Sequence, residues 1–178
     1  MDDREQRFER VVGEVAAPLH RFLTRRMPRD EVDDVLADAM LVIWRRLEEV
    51  PPDDVLPWCY GVARNCLANA TRAGRRRARL EARIQATAGP TDAAVASGAD
   101  ASAEAAAWRV HAALDRLTDD ERELVRLWAW EELGASRIAV VLGITPNAAS
   151  IRLHRARRRL AALLEADERS GPRPDMDG

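Results

Sequence analysis

The sequence predicts an all-α protein in which two small helical domains are joined by a flexible linker. Large apolar residues recur at spacings of three and four along most of the chain, as they do on helices that bury one face. No segment alternates apolar and polar residues as a half-buried strand would. Residues 85–103 are mostly small and lack the apolar side chains that a core needs. We therefore expect a helical domain over residues 1–84, a linker over 85–103, a second helical domain over 104–165 and a disordered tail over 166–178.

The first domain is predicted to contain three helices. Apolar residues between positions 8 and 23 follow a helical period, although Pro18 is expected to kink or interrupt that helix. Asp30 is a suitable N-cap for a second, strongly amphipathic helix with acidic residues away from its apolar face. Pro57 lies near the start of a third helix, which begins with aromatic residues and runs into an arginine cluster. This domain should therefore present one acidic and one basic surface.

The second domain begins with a helix that contains Trp108 on an apolar period. Thr118 and Glu121 then have the spacing of a capping box, in which each residue satisfies a backbone N–H of the other. The helix that follows is predicted to bury Leu127 and Trp128. These helices would form the support on which the last part of the domain packs.

The last part of this domain, residues 133–157, has the pattern of a helix-turn-helix. Gly143 stands at the sharp turn between the helices, where a positive φ is often needed. Thr145 is a good N-cap for the second helix, and Pro146 fits its first position because no intrahelical N–H is required there. The second helix has small and apolar residues along one predicted buried stripe. They are Ala149, Leu153, Ala156 and Leu160.

The rest of this second helix is polar and strongly basic. Residues 147–159 contain five arginines and no acidic residue. The arginines therefore create a local positive field suited to phosphates. The candidate DNA-contacting residues are Asn147, Ser150, Ile151, Arg152, His154, Arg155 and Arg158. The alternative is an ordinary helical hairpin whose solvated face is basic. The turn, the cap, the buried stripe and the arginines are independent features, and each is typical of a DNA-binding helix-turn-helix. Together they favour DNA binding over this alternative.

Composition and charge exclude several other classes of protein. The net charge is −2 and all 28 basic residues are arginine, but acidic residues crowd the front of the chain and arginines form two later clusters, at residues 72–79 and 152–159. No apolar run could cross a membrane and the acidic start is unlike a signal peptide, so we expect a cytoplasmic protein. Neither metal-ligand spacing nor a catalytic or cofactor-binding motif is found, and we expect no enzymatic activity, metal or cofactor. Cys59 and Cys66 are expected to be buried, non-redox thiols.

Three segments, in this order, resemble bacterial sigma factors of the sigma-70 family, and the extracytoplasmic-function (ECF) group in particular. The segments are DDVLADAMLVIWR at 33–45, WCYGVARN at 58–65, and LGI at 142–144 followed by RLHRAR at 152–157. The resemblance extends from about residue 8 to residue 164, apart from the linker. It implies a subunit that binds core RNA polymerase, recognises promoter DNA and opens it. It further implies that an anti-sigma factor is a possible partner.

The resemblance assigns a role to each segment. The helix of residues 33–45 would dock on the β′ clamp of the polymerase through Asp33, Asp34, Asp38 and Met40. The third helix would hold the melted −10 element by stacking on bases and contacting phosphates. Its candidate residues are Trp58, Tyr60, Arg64, Asn65, Arg72, Arg75 and Arg76. The helix-turn-helix would read the −35 element in the major groove. For Trp58 and for Tyr60, burial in the core is the alternative to base contact.

Two other functions are compatible with parts of the sequence. A helix-turn-helix regulator that binds duplex DNA without docking on polymerase explains the second domain, but it gives the acidic helix and the arginine cluster of the first domain no role. A helical adaptor whose basic runs are solvated faces predicts no DNA binding that weakens as salt rises.

Overall fold

The computed structural model describes residues 3–84 and 101–170, which form seven α-helices, one 3₁₀ turn and no strand. The elements are α1 (Asp3–Thr24), α2 (Arg29–Arg45), the 3₁₀ turn Leu47–Glu49, α3 (Val55–Ile84), α4 (Ala101–Asp115), α5 (Asp119–Ala129), α6 (Ala135–Leu142) and α7 (Pro146–Ser170). The prediction of an all-α fold is confirmed. Most of the predicted linker, residues 85–100, and the last part of the tail, residues 171–178, lie outside the described residues.

Two helices extend into the segments that the sequence analysis assigns to the linker and the tail. Residues 101–103 belong to α4, which starts in an alanine-rich run of high helix propensity. Residues 166–170 belong to α7, which is longer than predicted. Arg116 and Asp167 form an ion pair of 3.2 Å that holds this last part of α7 against the end of α4. The remaining domain limits stay predictions.

The helices divide into two compact units. The first contains α1, α2, the 3₁₀ turn and α3, and is assigned Ala139–Ile144 as well; the second contains α4, α5, the rest of α6 and α7. In the first unit each of the three helices packs against the other two. Its core includes Leu19 and Phe22 of α1 and Ile43 of α2, each with an exposed fraction of 0%. The ring of Phe22 lies 5.2 Å from the ring of Tyr60 on α3.

Two details of the first unit differ from the predictions. Helix α1 continues unbroken through Pro18, because the fully buried residues on either side, Val15 and Leu19, anchor both of its halves in the core. Helix α2 begins at Arg29, and Pro28 occupies the N-cap position without a side-chain hydrogen bond. Asp30 therefore lies inside the first turn, where its charge favours the helix dipole but does not cap the helix.

In the second unit, α7 packs against α4 and α5. The capping box of α5 is confirmed: the backbone N–H of Glu121 donates to Thr118 Oγ1 at 3.3 Å, and that of Thr118 donates to Glu121 Oε2 at 3.0 Å. The predicted burial of Trp128 is wrong, since 37% of this residue is exposed, and Trp108 is 71% exposed. Trp128 instead packs under the guanidinium of Arg157, which lies 4.1 Å from its ring.

The capping box makes the stability of this unit depend on pH. The backbone N–H of Thr118 lowers the pKa of the Glu121 carboxyl below its ordinary value of 4.5. A lowered pKa in the folded state adds stability above the ordinary pKa, and this stability disappears as the pH falls through the lowered value. We expect Glu121→Gln to be less stable than the wild type at pH 7 and nearly equal to it at about pH 2. Urea unfolding at both pH values measures this difference.

Asp120→Asn is the matched control for this prediction. It removes one carboxylate from the same helical turn, but Asp120 makes no hydrogen bond or ion pair among the residues that the structure describes. Its loss should therefore cost less at pH 7. An equal pH dependence in the two variants would mean that charge near the helix end, and not the capping box, is responsible.

Candidate nucleic-acid interface

The turn between α6 and α7 has the geometry that the sequence predicts. Gly143 has a φ of +64°, a conformation that residues with a Cβ rarely adopt. The backbone N–H of Ile144 donates to the carbonyl of Ala139 at 3.0 Å, which closes the end of α6. Thr145 Oγ1 accepts from the backbone N–H of Ala148 at 3.2 Å, and α7 begins at Pro146. The direction of α7 is therefore fixed by local hydrogen bonds and by one glycine.

One stripe of α7 is buried and the opposite side is exposed. Ala149 and Ala156 have exposed fractions of 0%, Leu153 is also buried, and Leu160 is half-buried. All seven candidate residues of α7 are exposed: Asn147, Ser150, Ile151, Arg152, His154, Arg155 and Arg158. The centre of this face contains an apolar side chain, Ile151, with 45% of its surface exposed. The face therefore offers hydrogen-bonding, cationic and apolar groups to the same ligand.

The arginines of α7 are not equivalent. Arg157 lies over the ring of Trp128, and Arg159 Nη1 lies 3.5 Å from a carboxylate oxygen of Glu121. Arg152, Arg155 and Arg158 make no hydrogen bond or ion pair with any residue that the structure describes. This division depends on residues of α5, which are distant in sequence, so the sequence pattern could not reveal it. Three cations of α7 are therefore available to an external anion.

The candidate residues of α3 lie on two sides of that helix. Trp58, Asn65, Arg72 and Arg76 are spaced by seven, seven and four residues and so share one stripe. Trp58 is half-buried, whereas the other three are exposed. Arg72 is held by its own helix, with Nη2 donating to Asn69 Oδ1 at 2.6 Å.

The other three candidates, Tyr60, Arg64 and Arg75, lie on a different side of α3. Tyr60 is 4% exposed and packs against Phe22, which agrees with the alternative that Tyr60 is buried in the core and does not contact a base. Arg64 is half-buried and Arg75 is exposed. Sequence reasoning did not single out Arg46, whose guanidinium lies 5.1 Å from the ring of Trp58. Of the two aromatic candidates, only Trp58 therefore has an exposed part, and it lies beside a cation that the helical pattern did not reveal.

Helix α2 presents an acidic surface. Asp33, Asp34 and Asp38 are exposed, while Val35 and Ala39 on the other side of the helix are buried. His20 Nε2 lies 3.8 Å from Asp33 Oδ1. Asp34 and Asp38 have no such partner among residues 3–84 and 101–170, and their spacing of four places them one turn apart on the same face. Met40 is half-buried.

The two cysteines have environments that suppress reactivity. Burial, with a contribution from Glu14, raises the pKa of the Cys59 thiol to about 12, and burial also raises the pKa of Cys66. A thiol with a raised pKa is a poor nucleophile at neutral pH because little thiolate is present. Within the part of the chain that the structure describes, no cluster of three metal-ligating side chains occurs and no helix is long and apolar enough to span a membrane.

The fold and this arrangement of charges define a helix-turn-helix protein with an exposed cationic face on α7 and an exposed acidic surface on α2. Comparison with known proteins agrees with this class. Residues 107–160, which include the whole helix-turn-helix, match the family described as sigma-70, region 4.

Two relatives match most of the chain. The chain is 30% identical over 172 residues to the RNA polymerase sigma factor CarQ of Myxococcus xanthus, covering 92% of each protein. It is 28% identical over 147 residues to the RNA polymerase sigma factor CnrH of Cupriavidus metallidurans, covering 79% of this chain and 77% of that protein. The chain therefore belongs to the sigma-70 family of RNA polymerase sigma factors, in the ECF group.

Two solved structures have a similar fold. One is CnrH in complex with the cytosolic domain of CnrY, with a TM-score of 0.59 and 25% identity, covering 90% of this chain and 88% of that one. The other is the sigma factor RpoE in complex with the anti-sigma factor NepR from Bartonella quintana, with a TM-score of 0.59, 21% identity and coverage of 90% and 98%. The second similarity concerns the fold alone. Family membership favours a sigma factor over a regulator that acts without polymerase.

Proposed function

We propose that this chain is a cytoplasmic ECF sigma factor that binds core RNA polymerase, recognises the −35 and −10 promoter elements and initiates transcription, with no catalytic activity of its own. The observation that carries this proposal is the outward face of α7. It is exposed along its length, it belongs to a well-formed helix-turn-helix, and three of its arginines have no partner among the described residues. Such a face fits the major groove of duplex DNA.

In this proposal α7 recognises the −35 element. The N-terminal part of a recognition helix faces base edges, so Asn147, Ser150 and Ile151 are positioned to contact bases. Amide and hydroxyl groups can hydrogen-bond to bases, and an apolar side chain can pack against a thymine methyl group. Arg152, Arg155 and Arg158 supply phosphate contacts or pair with guanine. His154 lies on the same exposed side.

Helix α3 would hold the single strand of the −10 element. Trp58 provides a partly exposed ring for base stacking, and Asn65, Arg72 and Arg76 continue along the same stripe. Arg64 and Arg75 offer further cations at the side of this stripe. Tyr60 is buried against Phe22 and would not itself stack on a base.

Helix α2 would dock on the polymerase. Asp34 and Asp38 are exposed and have no ion-pair partner among the described residues, so they suit a basic partner surface, with Asp33 beside them. Half-buried Met40 would add apolar contact area. The partner that the family implies for this helix is the β′ clamp of the polymerase.

The two units would act as separate modules, residues 1–84 on polymerase and the −10 element and residues 104–165 on the −35 element. CnrH and RpoE were each solved with a partner, the cytosolic domain of CnrY and the anti-sigma factor NepR. We extend this to the present chain and propose that an anti-sigma factor can hold it when it is not on polymerase.

Reconstitution tests the proposed function directly. Purified chain and core polymerase should form a complex in gel filtration and should transcribe from a promoter obtained by mapping start sites after overproduction. A chain that binds duplex DNA but does not associate with core polymerase would be a regulator. A chain that binds neither would be an adaptor.

Reversing one acidic charge of α2 should separate the binding of core polymerase from the binding of the −35 duplex. We expect Asp34→Arg to weaken association with core polymerase by about tenfold or more, because a cation then faces a basic partner. Binding of the −35 duplex by the free chain should not fall. Fluorescence anisotropy with labelled core polymerase and with labelled duplex measures the two activities separately.

Glu9→Arg is the control for this reversal. It makes the same change of charge at an exposed position of α1 that is not assigned to any interface. If it weakens core binding as much as Asp34→Arg, overall charge and not the α2 surface determines docking. Arg152→Ala should show the opposite pattern, with weaker −35 binding and unchanged core binding.

A further inference from the structure

Arg46 is held at the elbow between α2 and the 3₁₀ turn. Its backbone N–H donates to the carbonyl of Val42 at 3.0 Å, and its carbonyl accepts from the backbone N–H of Glu49 at 2.9 Å. Leu47 and Val50 are buried, with exposed fractions of 0% and 3%, and they anchor the turn in the core. The side chains of Arg46 and Glu49 therefore both remain outside, on the same side of a fixed turn.

The guanidinium of Arg46 has two partners at this position. Its Nε donates to Glu49 Oε1 at 3.0 Å and its Nη2 donates to Glu49 Oε2, so that the pair is bidentate. Its Cζ lies 5.1 Å from the centre of the Trp58 ring, within the range of a cation–π contact. The Glu49 carboxylate is thus an anion held in an arginine fork beside the ring that we assign to base stacking.

We propose that Arg46 binds a phosphate of the single-stranded −10 element, and that Glu49 occupies the place of this phosphate in the free protein. This inference rests on the proposed role of α3. A guanidinium fork binds carboxylate and phosphate with the same bidentate geometry. A nucleotide whose base stacks on Trp58 brings its own backbone next to that ring, and Arg46 is the cation already located there.

The exchange is energetically accessible because the pair is at the surface. About half of each side chain is exposed, 48% for Arg46 and 55% for Glu49. Exposed ion pairs contribute little to stability, so a backbone phosphate, which carries one negative charge as the carboxylate does, can displace it where base stacking on Trp58 adds to the binding of the strand. Glu49 would then lower the affinity of the free protein for single strands, and the strand would be bound firmly where Trp58 adds stacking.

A double-mutant cycle on the full chain in complex with core polymerase tests this exchange. The probe is a fluorescein-labelled single strand with the non-template −10 sequence of the mapped promoter, titrated at several salt concentrations. We expect Arg46→Ala to weaken binding about tenfold and to reduce the log–log salt slope by about 0.7. Glu49→Gln should tighten binding about threefold, since it removes the competing anion. The double variant should bind like Arg46→Ala, because Glu49 acts only through Arg46.

Two further variants make the result specific. Arg45→Ala removes a neighbouring exposed arginine without an assigned role, and it should weaken binding less than Arg46→Ala. Arg46→Lys keeps the charge but loses the fork, so the salt slope should be kept while affinity falls. If Arg46→Ala equals Arg45→Ala, or if Glu49→Gln tightens binding equally without Arg46, the inference is overturned. If the wild-type complex does not bind the strand, the proposed −10 role of α3 itself fails.

Discussion

Replacing Arg152, Arg155 and Arg158 together by alanine is expected to weaken binding of the −35 duplex by about 10²-fold or more. These three side chains are the α7 arginines without a partner among the described residues, so all of their charge is available to DNA. The log–log salt slope should also become less steep by about 0.9 for each phosphate contact that is lost. Fluorescence anisotropy of the chain in complex with core polymerase, titrated on labelled duplex at several salt concentrations, measures both quantities.

The same helix provides a matched control. Arg157→Ala and Arg159→Ala, made together, remove two further charges, but these side chains are engaged with Trp128 and Glu121 within the unit. We expect a much smaller loss of DNA binding, together with a small loss of thermal stability. The assignment of the reading face would be wrong if this control weakened the −35 complex as much as the triple variant.

Phe22→Ala should destabilise the first unit by about 3–5 kcal/mol. The ring has an exposed fraction of 0% and lies between the ring of Tyr60, at 5.2 Å, and the guanidinium of Arg26, at 3.7 Å. Its removal leaves a cavity beneath α3 and takes away the support of Tyr60. A loss of this size is a large part of the stability of a small domain.

Hydrogen exchange followed by mass spectrometry locates this effect. Peptides from α1, α2 and α3 should lose protection, whereas peptides from α5 and α7 should keep theirs. Leu41→Ala is the control, because Leu41 is on α2 of the same unit but is 46% exposed, and it should change stability by less than about 0.5 kcal/mol. Equal loss of protection in both units would contradict the assignment of Phe22 to a separate core.

Sequence reasoning succeeded where the determinants are local. The turn at Gly143, the cap at Thr145 and the start of α7 at Pro146 follow from the backbone requirements of three adjacent residues. The capping box of Thr118 and Glu121 likewise involves residues only three apart. The predicted N-cap of α2 was wrong: Asp30 is a good capping residue on its own, but the helix begins at Arg29, two residues earlier than a cap at Asp30 implies, with Pro28 at the N-cap position.

The helical fold, the start of α7 and the buried stripe of α7 could be predicted from the sequence, because each of these depends on residues within one or two turns. Packing of the helices was needed to reveal that Arg157 and Arg159 are engaged, that Trp128 is partly exposed and that Arg46 lies beside Trp58. The helical period predicts which residues share one face of a helix, but it does not predict which side chains of other helices pack on that face. The partners of these residues come from other helices, and their contacts exist only once the helices have packed.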